Sequence, residues 1–323
     1  MPATELRRRW RRCRDASVRP KSIALLSLRS VRARSHAPRS TGVSRAMGMF
    51  MKSDQACGVC LSAALVLGLM APFSPAAATQ LRANYTAYYL RLPVGTGVLT
   101  IDIEEDRYEA RLSGEVSGAA SLASGFSFEM QSRGKYQNGQ LAPEKYIYTS
   151  RAAKDVRNLQ MSFKSSSVTD VTMEPPLPDL GRRVPISTEH RQNVVDPLSA
   201  LVAAMTSTHP KPVTACGEAL RIHGGNIRAD VSTSFLQMQA TQTAAYRGPA
   251  SLCSVRYNPV AGHIADASYV KFMRDNQQIR VSSVPTRGPF EVLVHASVPL
   301  QMGTVRIELT EARIDGVVVD LKR

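Results

Sequence analysis

At 323 residues the chain is long enough for one large domain or two small ones. Its formal charge of +15 at pH 7 is unevenly distributed, because residues 1–50 hold thirteen Lys or Arg against two acidic residues, a net +11. One lysine and one aspartate cancel in the residues that follow, so residues 79–323 carry only about +4. Nucleic-acid binding needs a concentrated basic patch, and we therefore expect no nucleic-acid partner for this part of the chain.

The front of the chain has the pattern of an export signal behind an early start. Residues 47–78 contain a lysine, an apolar run over 56–73 and three alanines at 76–78, the order typical of a signal peptide cleaved after Ala78. Glycines and a proline interrupt the run, which disfavours a membrane anchor. Residues 1–46 also have the composition of an organelle transit peptide, but a signal beginning at residue 47, 49 or 51 favours an untranslated or disordered segment. We expect residues 79–323 to form a single β-rich domain in the periplasm.

The first half of that domain shows the alternation of apolar and polar residues that is typical of strands. Asn138-Gly139 indicates a tight hairpin turn, and LPVGTG at Leu92–Gly97 is interpreted as a turn that leads into another strand rather than as a phosphate-binding loop. The predicted strands are Arg82–Leu90, Val98–Ile103, Arg107–Val116, Phe126–Tyr136, Lys145–Ser150 and a hairpin over Leu159–Met173.

One helix is predicted in the mature chain, over residues 196–208. Asp196 is a suitable N-cap and Pro197 suits the first helical position. The remaining faces carry small residues rather than charges, so we expect the helix to be buried on several sides. Its apolar face is predicted to consist of residues spaced at i, i+3, i+4 and i+7, namely Leu198, Leu201, Val202 and Met205.

Short strands are predicted again after the helix, at intervals of roughly ten residues. Together with the first half they predict a mainly β fold, in which a curved antiparallel sheet or open barrel wraps around the one central helix. The candidates are Leu220–His223, Ile227–Val231, Phe235–Gln242, Leu252–Asn258, Ser268–Arg274, Ile279–Ser283, Phe290–Pro299 and Gly303–Asp315.

Cys216 and Cys253 are the two cysteines that remain after the front segment is removed. An even pair in an exported chain favours a disulfide. A redox-active or metal-binding pair is the alternative, but Cys216 and Cys253 do not form a C-x-x-C motif and no histidine stands at ligand spacing from them.

No catalytic constellation is recognisable in the mature chain. Its histidines form no zinc motif, and His223-Gly224-Gly225 lacks the G-x-S-x-G partner that an esterase would need. We therefore predict no catalytic residues, no cofactor and no metal. Tyrosines at positions 85, 89, 136, 146 and 148 either line an apolar cavity or pack between strands.

Several segments carry a resemblance to a known family. The chain resembles an exported proteobacterial family known as domain of unknown function 3108, which implies a periplasmic β-rich protein with a disulfide and no established activity. Where relatives often have an Asp-Gly turn after the first cysteine, this chain has His223-Gly224-Gly225-Asn226. The resemblance covers most of residues 82–315, through an early tyrosine-rich strand followed by LPVGTG, GQLAPEKY (Gly139–Tyr146), DPLSAL (Asp196–Leu201), Cys216 and CSVRYNPVAGH (Cys253–His263).

Three functional hypotheses follow from these patterns. The first is a non-enzymatic envelope protein that holds a lipid or another apolar ligand in a groove between the sheet and the helix. The second is a scaffold that binds envelope protein partners through an exposed sheet edge. The third is a hydrolase with an unrecognised site, and it ranks last because no nucleophile-base pair is apparent.

Overall fold

The computed structural model describes residues 79–118, 125–137, 139–152, 155–206, 216–217, 219–286, 288–319 and 321–322. The predicted signal peptide and the basic segment before it lie outside these residues. Fifteen strands run through the described part of the chain: β1 (Thr79–Tyr89), β2 (Leu92–Glu104), β3 (Arg107–Val116), β4 (Ser127–Gln137), β5 (Gln140–Ala152), β6 (Asp155–Lys164), β7 (Ser167–Glu174), β8 (Ala219–His223), β9 (Arg228–Gln242), β10 (Tyr246–Ala261), β11 (Arg280–Pro285), β12 (Glu291–Leu300), β13 (Gly303–Ile314), β14 (Val317–Val318) and β15 (Leu321–Lys322).

Two α-helices accompany the strands, α1 (Pro197–Thr206) and α2 (Ser268–Asp275), together with single 3-10 turns at Leu180–Arg182 and Glu189–Arg191. Neither α-helix, within the residues described, is long and apolar enough to cross a bilayer.

The strands form one sheet in the order β7-β6-β5-β4-β3-β2-β1-β13-β12-β11-β10-β9-β8. Neighbours in this order are antiparallel; β14 adds to β13, and β15 pairs with β10 in parallel. The outermost strands, β7 and β8, do not pair with each other, so the sheet is open. The predicted fold class, a curved antiparallel sheet around a helix, is confirmed.

The register places the hairpin turns at two opposite ends of the sheet. Tyr89 pairs with both Leu92 and Val305, so the β1–β2 and β12–β13 turns are neighbours at one end. We call this the β1–β2 end. The β6–β7 turn and β14 lie at the other end.

The residues leading into α1 connect the two open edges of the sheet. The Val194 N–H donates to the Ser166 carbonyl oxygen in the β6–β7 turn at 2.9 Å. The Val195 N–H donates to the Arg221 carbonyl oxygen of β8, and the His223 N–H donates back to Val195, both at 2.9 Å. These bonds fix the start of α1 between β7 and β8, and the helix contacts β3, β4, β5, β8 and β12.

The alternation of side chains explains how the sheet forms the core. In β3, Tyr108 and Ala110 are buried whereas Arg107 and Arg111 are exposed. A half-buried antiparallel strand requires this period of two, because successive side chains point to opposite faces. The buried side chains of the strands join those of α1 in one apolar cluster.

Three sequence-based assignments of secondary structure differ from the structure. Ser268–Arg274, predicted as a strand, lies in α2. Val270 of this helix is buried, and Met273, three residues later, lies on the same face one turn further along. The segments Ile227–Val231 and Phe235–Gln242 are strand as predicted, apart from Ile227, but they belong to the single long strand β9 and not to two strands. LPVGTG belongs to β2, and the turn before it consists of Leu90 and Arg91.

Candidate functional site

The predicted apolar face of α1 is packed into the core. Leu198, Val202 and Met205 are buried, and Leu201 is partly buried against the same cluster. The helix lies within the predicted range of 196–208, although residues 207–215 are outside the described part of the chain. The four side chains hold the helix against the sheet.

Asp196 caps α1 from a fully buried position. Its Oδ1 accepts hydrogen bonds from the backbone N–H groups of Leu198 at 3.0 Å and Ser199 at 2.9 Å. These are the N2 and N3 donors that an N-cap side chain satisfies. The other carboxylate oxygen, Oδ2, accepts hydrogen bonds from the hydroxyls of Ser199 on α1 and Ser132 on β4. Asp196 therefore joins the start of the helix to the sheet.

A tyrosine from β3 completes this buried polar cluster, which we call the cap cluster: Tyr108, Ser132, Asp196 and Ser199. The Tyr108 hydroxyl lies 2.6 Å from the Ser199 Oγ, and the two serine hydroxyls are 2.8 Å apart. Burial raises the pKa of the Asp196 carboxyl, and the hydrogen bonds from Ser199 and Ser132 oppose that rise. Burial also raises the pKa of the Tyr108 hydroxyl, and the nearby Asp196 charge adds to the effect.

The cap cluster has the geometry of a structural cap. All four residues are buried, and within the described residues no histidine is hydrogen-bonded to either serine. A serine nucleophile needs a positioned base and access to substrate. The sequence indicated Asp196 as the cap, but it gave no sign of Ser132 or Tyr108, because their partnership with Asp196 depends on the curvature of the sheet.

An apolar opening lies beside the cap cluster. It has a volume of about 160 Å³. Tyr146 of β5 lines the opening and also lies close to the cap cluster. The pKa of its hydroxyl is raised mainly by burial and secondly by the charge of Asp196. The walls come from β4–β7 and from the β8–β9 turn: Met130, Tyr146, Tyr148, Arg157, Asn158, Leu159, Met173, Gly224 and Asn226.

This opening differs from the predicted groove in its walls. None of the four residues of the predicted helix face lines it. Two of the five tyrosines proposed to line a cavity, Tyr146 and Tyr148, do so. Arg157 supplies a cation at the mouth and is paired with Asp155 at 3.3 Å. The arrangement suits an apolar group with a polar or anionic end.

The β8–β9 turn carries buried hydrogen-bond donors next to the opening. The Nδ1 atom of His223 accepts a hydrogen bond from the Gly225 N–H at 3.1 Å, so the proton of the neutral ring is on Nε2. Nε2 is buried and has no hydrogen-bond partner among the described residues. Burial, and after it the charges of Arg191 and Arg228, lower the pKa of His223 to about 4. Arg228, opposite His223, is paired with Asp230 at 2.7 Å.

A disulfide joins Cys216 and Cys253, the pair expected from the sequence, with the Cα atoms 5.9 Å apart. It links the residues before β8 to β10 and so crosses β9, the strand between them. No group of three or more His, Cys, Asp or Glu residues in the described ranges is placed to hold a metal ion.

Comparison with known proteins places the chain among proteins of unknown function. A family model described as "Protein of unknown function (DUF3108)" matches residues 84–310. None of the curated proteins matches the chain. The crystal structure of a beta-barrel-like protein of domain of unknown function DUF1849 from Brucella abortus is similar, with 9% identity, a TM-score of 0.40, and coverage of 73% of this chain and 98% of that one.

Proposed function

The chain belongs to the DUF3108 family, and from its own geometry we propose that it is a non-enzymatic protein of the cell envelope that holds the apolar chain of a lipid or a similar ligand. The observation that carries the proposal is the opening lined by Met130, Tyr146, Tyr148, Leu159 and Met173. Methionine and aromatic side chains form adaptable apolar walls, which suit a flexible chain.

The size of the opening limits what it accommodates. An apolar cavity of about 150 Å³ takes up benzene, so the roughly equal volume here matches a fragment of about six carbons. The opening is therefore proposed to take the end of an acyl chain, with the remainder extending past the mouth towards Arg157. A carboxylate or phosphate at the far end of the ligand would meet that guanidinium.

The proposal includes export to the periplasm. The Cys216–Cys253 disulfide supports this location, because such bonds persist in oxidising compartments.

Binding of dodecanoate, followed by isothermal titration calorimetry, tests the proposal. Gly224 lines the opening, and a Cβ there would meet only Pro197 Cγ at 3.7 Å and Ile227 O at 3.8 Å, so Gly224→Leu fits the backbone and adds a bulky side chain to the wall of the opening. The matched control is Gly181→Leu, because a Cβ at Gly181 has no neighbour within 4 Å.

We expect saturable binding by the wild type and by Gly181→Leu. Gly224→Leu should weaken binding about tenfold or more, because two excluded methylenes are worth about 1.6 kcal/mol. Absence of dodecanoate binding by the wild type, or equal affinity in Gly224→Leu, would contradict the proposal.

A second candidate function rests on the outer edge of β7. This eight-residue strand ends the sheet, and its outer side has no strand partner among the described residues. A protein segment in extended conformation would add to such an edge through backbone hydrogen bonds. Cross-linking from an engineered Asp170→Cys tests it, and recovery of no specific partner would contradict it.

A further inference from the structure

Two neighbouring hairpin turns expose apolar side chains at the β1–β2 end. Leu90 and Leu92 flank the β1–β2 turn with exposures of 68% and 66%, and Met302 in the β12–β13 turn is 81% exposed. Leu300, which pairs with Gly303 at the base of that turn, is also exposed. We call Leu90, Leu92, Leu300 and Met302 the turn patch. Single exposed apolar residues are ordinary, whereas clusters mark interaction sites.

The two turns are fixed to one another. Tyr89, the last residue of β1, pairs with Val305 of β13. Its ring also lies over Gly303, where an added Cβ would be only 3.0 Å from the Tyr89 Cε2 and hydroxyl oxygen. Gly303 has a φ of +110°, so the position needs glycine for both conformation and space. The turn patch is therefore presented as one surface.

The residues of the β1–β2 turn are poorly suited to its conformation. Leu90 and Arg91 form a two-residue turn with φ values of +50° and +68°. Such turns favour Asn-Gly or Asp-Gly, and the β13–β14 turn of this chain has that chemistry, with Asp315-Gly316 at +51° and +77°. An exposed leucine at φ > 0 is uncommon and costs stability, so this position does not serve the turn itself.

Positive charge flanks the turn patch. Arg91 and Arg306 line a depression of about 340 Å³ together with Tyr88 and Leu90. Neither arginine has an ion-pair partner within the described residues. The nearest acidic residue along β13 is Glu308, which lies two residues beyond Arg306, further from the turn. Its neighbours on the adjacent strands are His295 and Thr86. Apolar side chains thus project from the two turns, with the guanidinium groups of Arg91 and Arg306 beside them.

We propose that the turn patch docks on the surface of a bilayer that contains anionic lipids. Leu90, Leu92 and Met302 enter the boundary between headgroups and acyl chains, while Arg91 and Arg306 meet lipid phosphates. This order of apolar tip and cationic flank is that of interfacial membrane anchors. The proposal does not depend on what the opening holds.

Vesicle sedimentation with turn variants tests the docking. Leu90→Asn/Arg91→Gly installs the favoured turn sequence, so it removes one leucine of the turn patch and one cation while raising the melting temperature. The matched control is Ser165→Asn/Ser166→Gly in the β6–β7 turn at the opposite end, where φ is likewise positive, +48° and +58°. Vesicles contain equal parts of phosphatidylglycerol and phosphatidylcholine.

We expect the partition coefficient of Leu90→Asn/Arg91→Gly to fall about tenfold or more, because one buried leucine and one interfacial arginine are lost. The control should bind as the wild type does. Absence of wild-type binding, or a variant that binds as well as the wild type, would overturn the proposal; an unchanged or higher melting temperature shows that the variant is folded.

A fluorescence measurement separates docking of the turn patch from any binding by the basic front segment. The chain has one tryptophan, Trp10, so Trp10→Phe gives a dark background in the full chain. In it, Met302→Trp should be quenched by brominated lipids, whereas Val318→Trp, exposed on β14 at the opposite end, should not. Equal quenching at both positions, or none at residue 302, would refute docking through this surface.

Discussion

Asp196→Ala should destabilise the protein far more than an ordinary loss of a carboxylate. The change removes the cap of two backbone N–H groups, worth about 1 kcal/mol. It also removes the acceptor for the Ser132 and Ser199 hydroxyls. These can still bond to each other, so about one buried donor is left unsatisfied, at a cost of about 2 kcal/mol.

The expected total for Asp196→Ala is about 3 kcal/mol, or roughly 9 °C in melting temperature for a domain of this size. Asp196→Asn should cost only about 1 kcal/mol, because asparagine is an equally good cap and the serine hydroxyls can reorient towards its amide. Urea unfolding followed by circular dichroism measures both values.

Asp266→Ala is the matched control, because Asp266 is exposed and lies 3.7 Å from Arg182 in a surface ion pair. It should cost less than about 1 kcal/mol. An Asp196→Ala variant within 1 kcal/mol of the wild type, or an asparagine variant as unstable as the alanine variant, would refute the role assigned to the cap cluster.

Three further predictions concern stability. Because the pKa of His223 falls from 6.5 to about 4 on folding, the unfolded chain binds more protons at this residue between those values. The contribution of His223 to stability should therefore drop by about 3 kcal/mol from pH 7 to pH 4, and an unchanged pH slope in His223→Gln would contradict this. Cys216→Ser removes the disulfide to Cys253, 37 residues away, and should lower the free energy of unfolding by about 4 kcal/mol while changing dodecanoate affinity less than twofold. Equal melting temperatures of the oxidised wild type and the variant would contradict this. A Cβ at Gly134 would lie 2.2 Å from the Ala142 carbonyl oxygen, so Gly134→Ala should lower the free energy of unfolding by about 2 kcal/mol, measured by chemical denaturation. Gly181→Ala should lower it by less than about 0.5 kcal/mol, and equal losses in the two variants would show that the β5 backbone moves aside without cost.

Local patterns were sufficient to predict the main elements of the fold. The DPLSAL segment carries its own cap and an uninterrupted apolar face, so α1 is predicted within two residues of its observed bounds. The alternation in β3 to β5 is likewise determined by burial on one face. Gln137 pairs with Gln140, as the predicted hairpin requires, although Asn138 itself lies outside the described residues.

The misassigned segments depend on neighbours that are remote in sequence. The glycines of LPVGTG suggested a turn, but Gly95 is needed because a Cβ there would lie 2.7 Å from the Glu115 carbonyl oxygen on β3. In β3, Gly114 similarly makes room for the Phe128 ring. Helix α2 has eight residues, too few for its period to be distinguished from alternation.

The candidate site was only partly predictable. The sequence identified Asp196 and the cysteine pair, because capping and cysteine counting are local or compositional rules. The apolar opening is built from β4–β7 and the β8–β9 turn, which are about fifty or more residues apart in the chain. Which tyrosines line it therefore depends on strand order, and strand order was not deducible from the alternation.

The most direct test of the proposed function is native mass spectrometry of the protein isolated from the cells that produce it, followed by solvent extraction of any bound molecule. The wild type and Gly181→Leu should carry an additional mass that is extracted as a molecule with an aliphatic chain, and Gly224→Leu should lose most of it. A wild-type protein that is consistently free of apolar ligand, or an equal load in Gly224→Leu, would contradict binding in the opening beside Tyr146 and Tyr148.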